Sequence, residues 1–124
     1  MSRAARSLFV FAIYVLIVGV ALIVVPAPIA ALLRLPPATV GWVRMIGLLS
    51  LVIGVYDAIG SHAECLPYIR GSVPVRFGFA IGTALLVAFG QMPATILLSG
   101  ATDIAGALWT AFALRGSAPA AVAA

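Results

Sequence analysis

Hydrophobic residues form four long runs along the chain, and polar residues are concentrated between them. The runs cover residues 7–25, 40–61, 73–90 and 93–114. About 20 residues of α-helix cross a hydrocarbon layer about 30 Å thick, so runs of this length are typical of transmembrane helices. The pattern predicts an all-α integral membrane protein: a single four-helix transmembrane bundle over residues 1–115, followed by a flexible tail over residues 116–124.

Prolines mark the ends of several runs. Pro26 and Pro28 close the first run, because proline has no backbone donor and clashes with the preceding helical turn. The segment 29–35 is too short to span a bilayer and is predicted to lie in the membrane interface. Residues 91–93 form a very short turn, which predicts that the third and fourth helices are antiparallel neighbours.

Composition supports a lipid environment. The chain is 65% hydrophobic and 8% charged, whereas soluble domains carry about 25% charged residues. The net charge of +4 comes from single arginines near the ends of the runs, which favours contacts with lipid head groups over binding of nucleic acid.

The arginines also predict an orientation. With the amino terminus inside, five of them lie on the cytoplasmic side and two on the other: Arg3, Arg6, Arg70, Arg76 and Arg115 against Arg34 and Arg44. This distribution favours a bacterial inner-membrane protein with both termini in the cytoplasm.

Four charged residues lie within or beside the predicted spans: Arg44, Asp57, Arg76 and Asp103. Because a charge in a spanning helix costs several kcal/mol, such residues face partners, cavities or substrates. Asp57 and Arg76 are predicted to pair across the loop between the second and third helices, with Arg76 at the start of the third. Asp103 lies deeper and has a hydroxyl, Arg44 or water as candidate partners. These charges either fix the register of the bundle or form a site that handles a proton or ligand. A protonated Asp103 bonded to a backbone carbonyl is a third alternative.

Small residues at helical spacing predict helix contacts. They are Gly47, Ser50 and Gly54 in the second span and Gly100, Gly106 and Thr110 in the fourth. Small side chains permit close approach, and hydroxyls can bond between helices. The first span contains only Gly19 as a small break and no charge, so it is predicted mainly to cover the other three.

The sequence contains no recognisable catalytic set, and catalytic residues stay unassigned. His62, Glu64 and Cys65 match no standard metal-site spacing, so no metal site is predicted. A bis-His haem within one chain is excluded, because the chain contains one histidine. Tyr56, Trp109 and Arg76 could together hold a quinone head group.

Several short elements resemble the small bacterial four-span proteins of the DoxX-like and BphX-like groups. They are Trp42-Val-Arg44-Met-Ile-Gly47, Gly54-Val-Tyr56, Val73-Pro-Val-Arg76 and the stretch from Asp103 through Trp109 to Arg115. The BphX-like group is mostly of unassigned function. DoxX is similar to a membrane subunit of a thiosulfate:quinone oxidoreductase. The resemblance singles out Arg44, Arg76 and Asp103 and implies a quinone-linked function as one expectation.

Three classes of function follow. The first is a non-enzymatic structural or accessory component of the lipid bilayer, assembled as a homo-oligomer or with another membrane protein. The second is a quinone-linked or other redox subunit. The third is a small proton-coupled transporter that uses Asp103 or Asp57.

Overall fold

The computed structural model describes the backbone of residues 1–123 and the side chains of residues 1–37 and 39–116. The described backbone is mostly α-helical and contains no strand. The α-helices are α1 (Arg3–Val24), α2 (Pro26–Leu32), α3 (Val40–His62), α4 (Leu66–Ala88) and α5 (Leu97–Ala123), with short 3₁₀ helices at Pro37–Thr39 and Ala94–Ile96.

Four helical segments are long and apolar enough to cross a membrane: α1, α3, α4 and the segment Ala94–Gly116. The predicted all-helical class and the number of candidate spans are thereby confirmed. The segment predicted to lie in the interface contains most of α2, which has seven residues. The predicted flexible tail over residues 116–124 falls almost wholly outside the described side chains and stays a prediction.

Helix α4 begins at Leu66, well before the predicted start near residue 73. Pro67 is compatible with the first helical turn, where a backbone N–H has no partner within the helix. Pro74 lies inside α4, as neighbouring helices can permit in membrane proteins. Arg76 therefore lies near the middle of α4, and its predicted position at the start of the helix is corrected.

The connection between α3 and α4 is correspondingly tight. Glu64 has a left-handed backbone with φ of 49°. The N–H groups of Glu64 and Cys65 donate to the carbonyl oxygens of Ser61 and Gly60 at 3.1 Å each, which closes the carboxyl end of α3.

Helix α1 lies between α3 and α5, and α4 packs chiefly against α5. Helices α3 and α4 meet only slightly, so the bundle runs in the order α3, α1, α5, α4. The prediction that the first span mainly covers the others is corrected, because α1 is the central helix. The neighbouring packing of α4 and α5 agrees with their short connection.

One apolar cluster closes the end of the bundle where α1 and α4 begin. It contains Ala4, Ala5 and Leu8 of α1 and Ile69 of α4, with Ala113 and Leu114 of α5 packed against it. Many large apolar side chains elsewhere point outward, as expected for helices whose surroundings are hydrocarbon.

Candidate functional site

Arg76 is the charged group at the centre of the bundle. Its side chain is 5% exposed. Helical side chains lean toward the start of their own helix, and Nη2 of Arg76 reaches back to Ser72 Oγ at 3.0 Å. The same nitrogen donates to Thr110 Oγ1 of α5 at 3.3 Å. The guanidinium carbon lies 4.4 Å from the centre of the Phe11 ring of α1, a cation–π contact.

Thr110 connects three helices through its hydroxyl. The residue is fully buried, and Oγ1 lies 2.9 Å from Ser7 Oγ of α1, where either atom can donate. Oγ1 also lies 3.1 Å from the Gly106 carbonyl oxygen one turn earlier, and its single proton is donated there when Ser7 is the donor of the bond between the two hydroxyls. With the bond from Arg76, this hydroxyl joins α1, α4 and α5.

Glycines make room for these polar contacts. A Cβ on Gly106 would lie 2.7 Å from Phe11 Cδ2 and 2.9 Å from Arg76 Nη1, too close for either contact. A Cβ on Gly100 would lie 2.7 Å from Thr83 Oγ1 of α4. Both predicted packing glycines of the last span therefore lie directly against neighbouring helices.

Two nitrogen atoms of Arg76 have no acceptor for their N–H groups among the described residues. Nε and Nη1 are buried and have no hydrogen-bond partner among the described residues. Asp57 and Asp103 are close enough to interact electrostatically with the guanidinium. Neither carboxylate comes within 4.0 Å of it in the described part of the chain, so the predicted Asp57–Arg76 ion pair is not formed.

Asp57 has a different direct partner. Its side chain is buried and accepts a hydrogen bond from Tyr68 Oη at 2.9 Å, which ties α3 to the first turn of α4. Gly60 permits this contact, because a Cβ there would overlap the Tyr68 ring. The carboxylate is thus held by a neutral donor and compensated by Arg76 from a longer distance.

Asp103 is half-buried in α5. Its carboxylate accepts no hydrogen bond from the described residues and interacts electrostatically with Arg76 and Asp57. Arg76, Asp57 and Asp103 therefore form one central group with a formal charge of −1 when all three are ionised. We refer to these three residues as the charged centre.

The other predicted site residues lie outside this centre. Arg44 is exposed, and its Nε donates to the Ile23 carbonyl at 3.3 Å near the end of α1. Tyr56 is also exposed. Trp109 lines a shallow, largely apolar groove of about 240 Å³, together with Phe11, Tyr14 and Gly106 among others. The structure thus does not gather Tyr56, Trp109 and Arg76 around one pocket.

The predicted packing residues of the second span face α1 in part. A Cβ on Gly47 would lie 2.8 Å from the Gly19 carbonyl oxygen, and one on Gly54 would lie 2.7 Å from Leu16 Cγ. Ser50 bonds within its own helix, to the Ile46 carbonyl at 2.9 Å. The glycines, more than the serine, determine how closely α1 and α3 approach.

Four contacting residues were not predicted: Phe11, Tyr68 and Ser72, which contact the charged centre, and Ser7, which bonds to Thr110 beside it. Ser72 precedes Arg76 by one helical turn, and that spacing would have indicated the contact had α4 been placed correctly. The sequence pattern gives no such signal for Tyr68, because it predicts a loop over that stretch. No local pattern distinguishes the buried Ser7 and Phe11 from the lipid-facing residues of α1, since their roles depend on how α1 packs.

The polar residues around the α3–α4 turn each have different surroundings and do not converge on one site. The His62 ring lies 5.0 Å from the Phe9 ring, centre to centre. Glu64 accepts a hydrogen bond from the backbone N–H of Ser2, and Cys65 is exposed.

No family model, curated protein or solved structure matches this chain. The resemblance to the DoxX-like and BphX-like groups therefore stays a prediction.

Proposed function

We propose that this chain is a non-enzymatic structural or accessory component of the bacterial inner membrane, with both termini in the cytoplasm. The proposal rests on one observation: the hydrogen bonds of Arg76 and Thr110 serve to hold α1, α4 and α5 together. A charge so engaged stabilises the register of a bundle.

The orientation follows from the charges at the helix ends. Since Arg76 lies near the middle of α4, it no longer counts as a terminal charge. Four arginines then lie at the end where α1 and α4 begin, and two lie at the other end: Arg3, Arg6, Arg70 and Arg115 against Arg34 and Arg44. The excess still favours cytoplasmic termini.

Assembly with a second copy or another membrane protein is supported by the surface of α4. This helix packs chiefly against α5. Cβ atoms added at Gly71, Gly78 and Gly82 would meet nothing within 4 Å. Glycines on an open helix face permit close packing of another helix.

Native mass spectrometry of the intact chain, released from nanodiscs, tests this proposal. We expect a defined oligomer or a complex with a membrane partner, carrying lipid. Gly78→Leu/Gly82→Leu should abolish the oligomer, whereas Gly41→Leu, also at an open glycine, should not. A monomer in nanodiscs and in native membranes would contradict the assembly role, and a retained quinone would favour a redox subunit.

Proton-coupled transport is a second candidate, favoured by the excess of one carboxylate in the charged centre. One proton would neutralise the centre and lower the cost of its burial. Liposomes containing the protein and a pH-sensitive dye test this candidate. Proton flux that is lost in Asp103→Asn but kept in Glu64→Gln would support it, and no flux in the unaltered protein would count against it.

Substitutions of Asp103 and Glu64 compare a carboxylate inside the bundle with one at its periphery. We expect Asp103→Leu to alter assembly or host phenotype more than Glu64→Gln, because Asp103 belongs to the charged centre and Glu64 lies in the exposed turn. Equal and negligible effects would remove the case for a special role of Asp103.

A further inference from the structure

Four arginines surround one end of the bundle. They are Arg3 and Arg6 of α1, Arg70 of α4 and Arg115 of α5, and all four are exposed. We refer to them as the arginine cluster.

The fold brings these residues to one level from three helices. The cluster borders the apolar group in which Ala4 and Ala5 pack with Ile69 and Leu114, each next in sequence to an arginine of the cluster. Arg3 Nη1 lies 3.9 Å from the position of a Cβ on Gly116, the residue after Arg115. The beginning of α1 and the described end of α5 are thus in contact.

The four positive charges of the arginine cluster are not neutralised by the side chains that the structure describes. The four guanidinium groups make no ion pair and no hydrogen bond with the described side chains. The Arg115 guanidinium lies 5.7 Å from the Phe112 ring. Glu64, the acidic residue of the nearby turn, accepts a hydrogen bond from the backbone N–H of Ser2 and lies 3.6 Å from the Met1 ammonium nitrogen.

The opposite end of the bundle has fewer arginines, and one of them is hydrogen-bonded to the protein. It holds Arg34 and Arg44, and the Arg44 side chain donates to the carbonyl oxygen of Ile23. A ligand attracted by guanidinium groups that lack protein partners should therefore prefer the end with the arginine cluster.

We infer that the arginine cluster binds the head group of a phospholipid that carries two phosphodiesters. A guanidinium presents paired N–H groups that match the oxygen spacing of a phosphate. Four guanidinium groups on three helices can contact two phosphates at once. A lipid with a single phosphodiester would leave some of these groups unused. Basic sites at the ends of transmembrane helices are suited to such head groups, and exposed apolar residues such as Phe112 offer adjacent surface to the acyl chains.

Lipid titration of the delipidated protein in a neutral detergent tests this inference, with binding followed by native mass spectrometry. The probes are diphosphatidylglycerol, phosphatidylglycerol and phosphatidylcholine with matched acyl chains. We expect diphosphatidylglycerol to bind at least tenfold more tightly than phosphatidylglycerol, and phosphatidylcholine to bind weakly. Raising the salt concentration should weaken the tight binding.

Paired substitutions assign the binding to this end. Arg70→Gln/Arg115→Gln should weaken diphosphatidylglycerol binding by about tenfold or more, since each arginine near an anionic head group contributes substantially to the affinity. Arg34→Gln/Arg44→Gln removes the same charge from the opposite end and should leave the binding within about twofold. Thermal unfolding of both variants checks that each is folded.

Two results would overturn the inference. One is equal affinity of the unaltered protein for the two anionic lipids, which would indicate that the second phosphodiester contributes nothing to binding. The other is equal loss of binding in the two double variants, which would show that location is unimportant. Neither result bears on the accessory function, because that proposal depends on protein assembly and this one on lipid selectivity.

Discussion

Helix α1 is held by two interfaces of opposite character. Against α3 it presents Gly19, and a Cβ on Gly47 would lie 2.8 Å from the Gly19 carbonyl oxygen. Against α5 and α4 it presents Ser7, which bonds to Thr110, and Phe11, which lies under the Arg76 guanidinium. The first interface depends chiefly on shape and the second chiefly on polar contacts.

This difference determines how each interface should fail. In hydrocarbon there is little hydrophobic drive between helices, so close packing and hydrogen bonds supply much of the association energy. The α1–α3 interface should be damaged by an added atom. The interface of α1 with α5 and α4 should be damaged when a polar atom is removed.

The largest effect is expected for Arg76→Leu. The substitution leaves Asp57 and Asp103 in the bundle without a nearby positive charge, and breaking a buried charge group costs about 3–5 kcal/mol. Unfolding in mixed micelles, followed by circular dichroism, measures the change. Arg70→Leu, on the same helix but exposed, is the matched control and should change stability by less than about 1 kcal/mol.

A rescue variant tests whether the stability lost in Arg76→Leu comes from the unpaired carboxylates or from altered packing. Arg76→Leu/Asp57→Asn/Asp103→Asn removes the whole charged centre and should recover more than half of the lost stability, because buried charge groups can be replaced by neutral ones at little cost. If the triple variant is as unstable as Arg76→Leu, the loss comes from packing and the charged centre has no electrostatic role.

Gly47→Ala should have the next largest effect, about 1–3 kcal/mol in the same unfolding measurement. The added methyl group would press on the Gly19 carbonyl oxygen and separate α1 from α3. Gly41→Ala, on the same helix in open space, should be neutral or slightly stabilising, since alanine favours helix. Equal stability of the two variants would mean that α1 and α3 are less closely packed than described.

The fold was more predictable than the charged centre. Long apolar runs report helices directly, and the four candidate spans followed from them. The start of α4 was misplaced because Pro67 and Pro74 suggested a loop, although one is compatible with a first turn and the other is tolerated inside the helix. That displacement moved Arg76 from the end of the helix to its middle.

The partners within the centre depend on which helices are neighbours. Sequence spacing relates residues on one helix, as it does Ser72 and Arg76. It carries no information on the distance between Ser7 and Thr110, which are 103 positions apart and bond directly. The central position of α1 was missed for the same reason, because Gly19 alone did not identify its partner helix.

Tyr68→Phe should cost about 1–2 kcal/mol, because the buried Asp57 carboxylate loses its hydrogen-bond donor. Tyr14→Phe removes a comparable hydroxyl from an exposed bond to Thr102, 3.2 Å long, and should cost less than about 0.5 kcal/mol. Both variants replace a tyrosine with a phenylalanine. The difference between their unfolding free energies therefore reports how buried the acceptor of each lost hydrogen bond is. A larger loss in Tyr14→Phe would contradict the assignment of Asp57 to the bundle interior.

The smallest effect, and the sharpest test of the polar interface, is expected for Thr110. Thr110→Val keeps the shape of the side chain but removes the hydroxyl that joins Ser7 and Arg76. It should cost about 0.6–1.7 kcal/mol, the average and the maximum measured for hydrogen bonds between membrane helices. Thr110→Ser keeps the hydroxyl and loses a methyl group. If the interface of α1 with α5 and α4 depends on the hydroxyl, the serine variant should be the more stable of the two. If it depends on shape, as the α1–α3 interface does, the valine variant should be the more stable, and the distinction between the two interfaces would be lost.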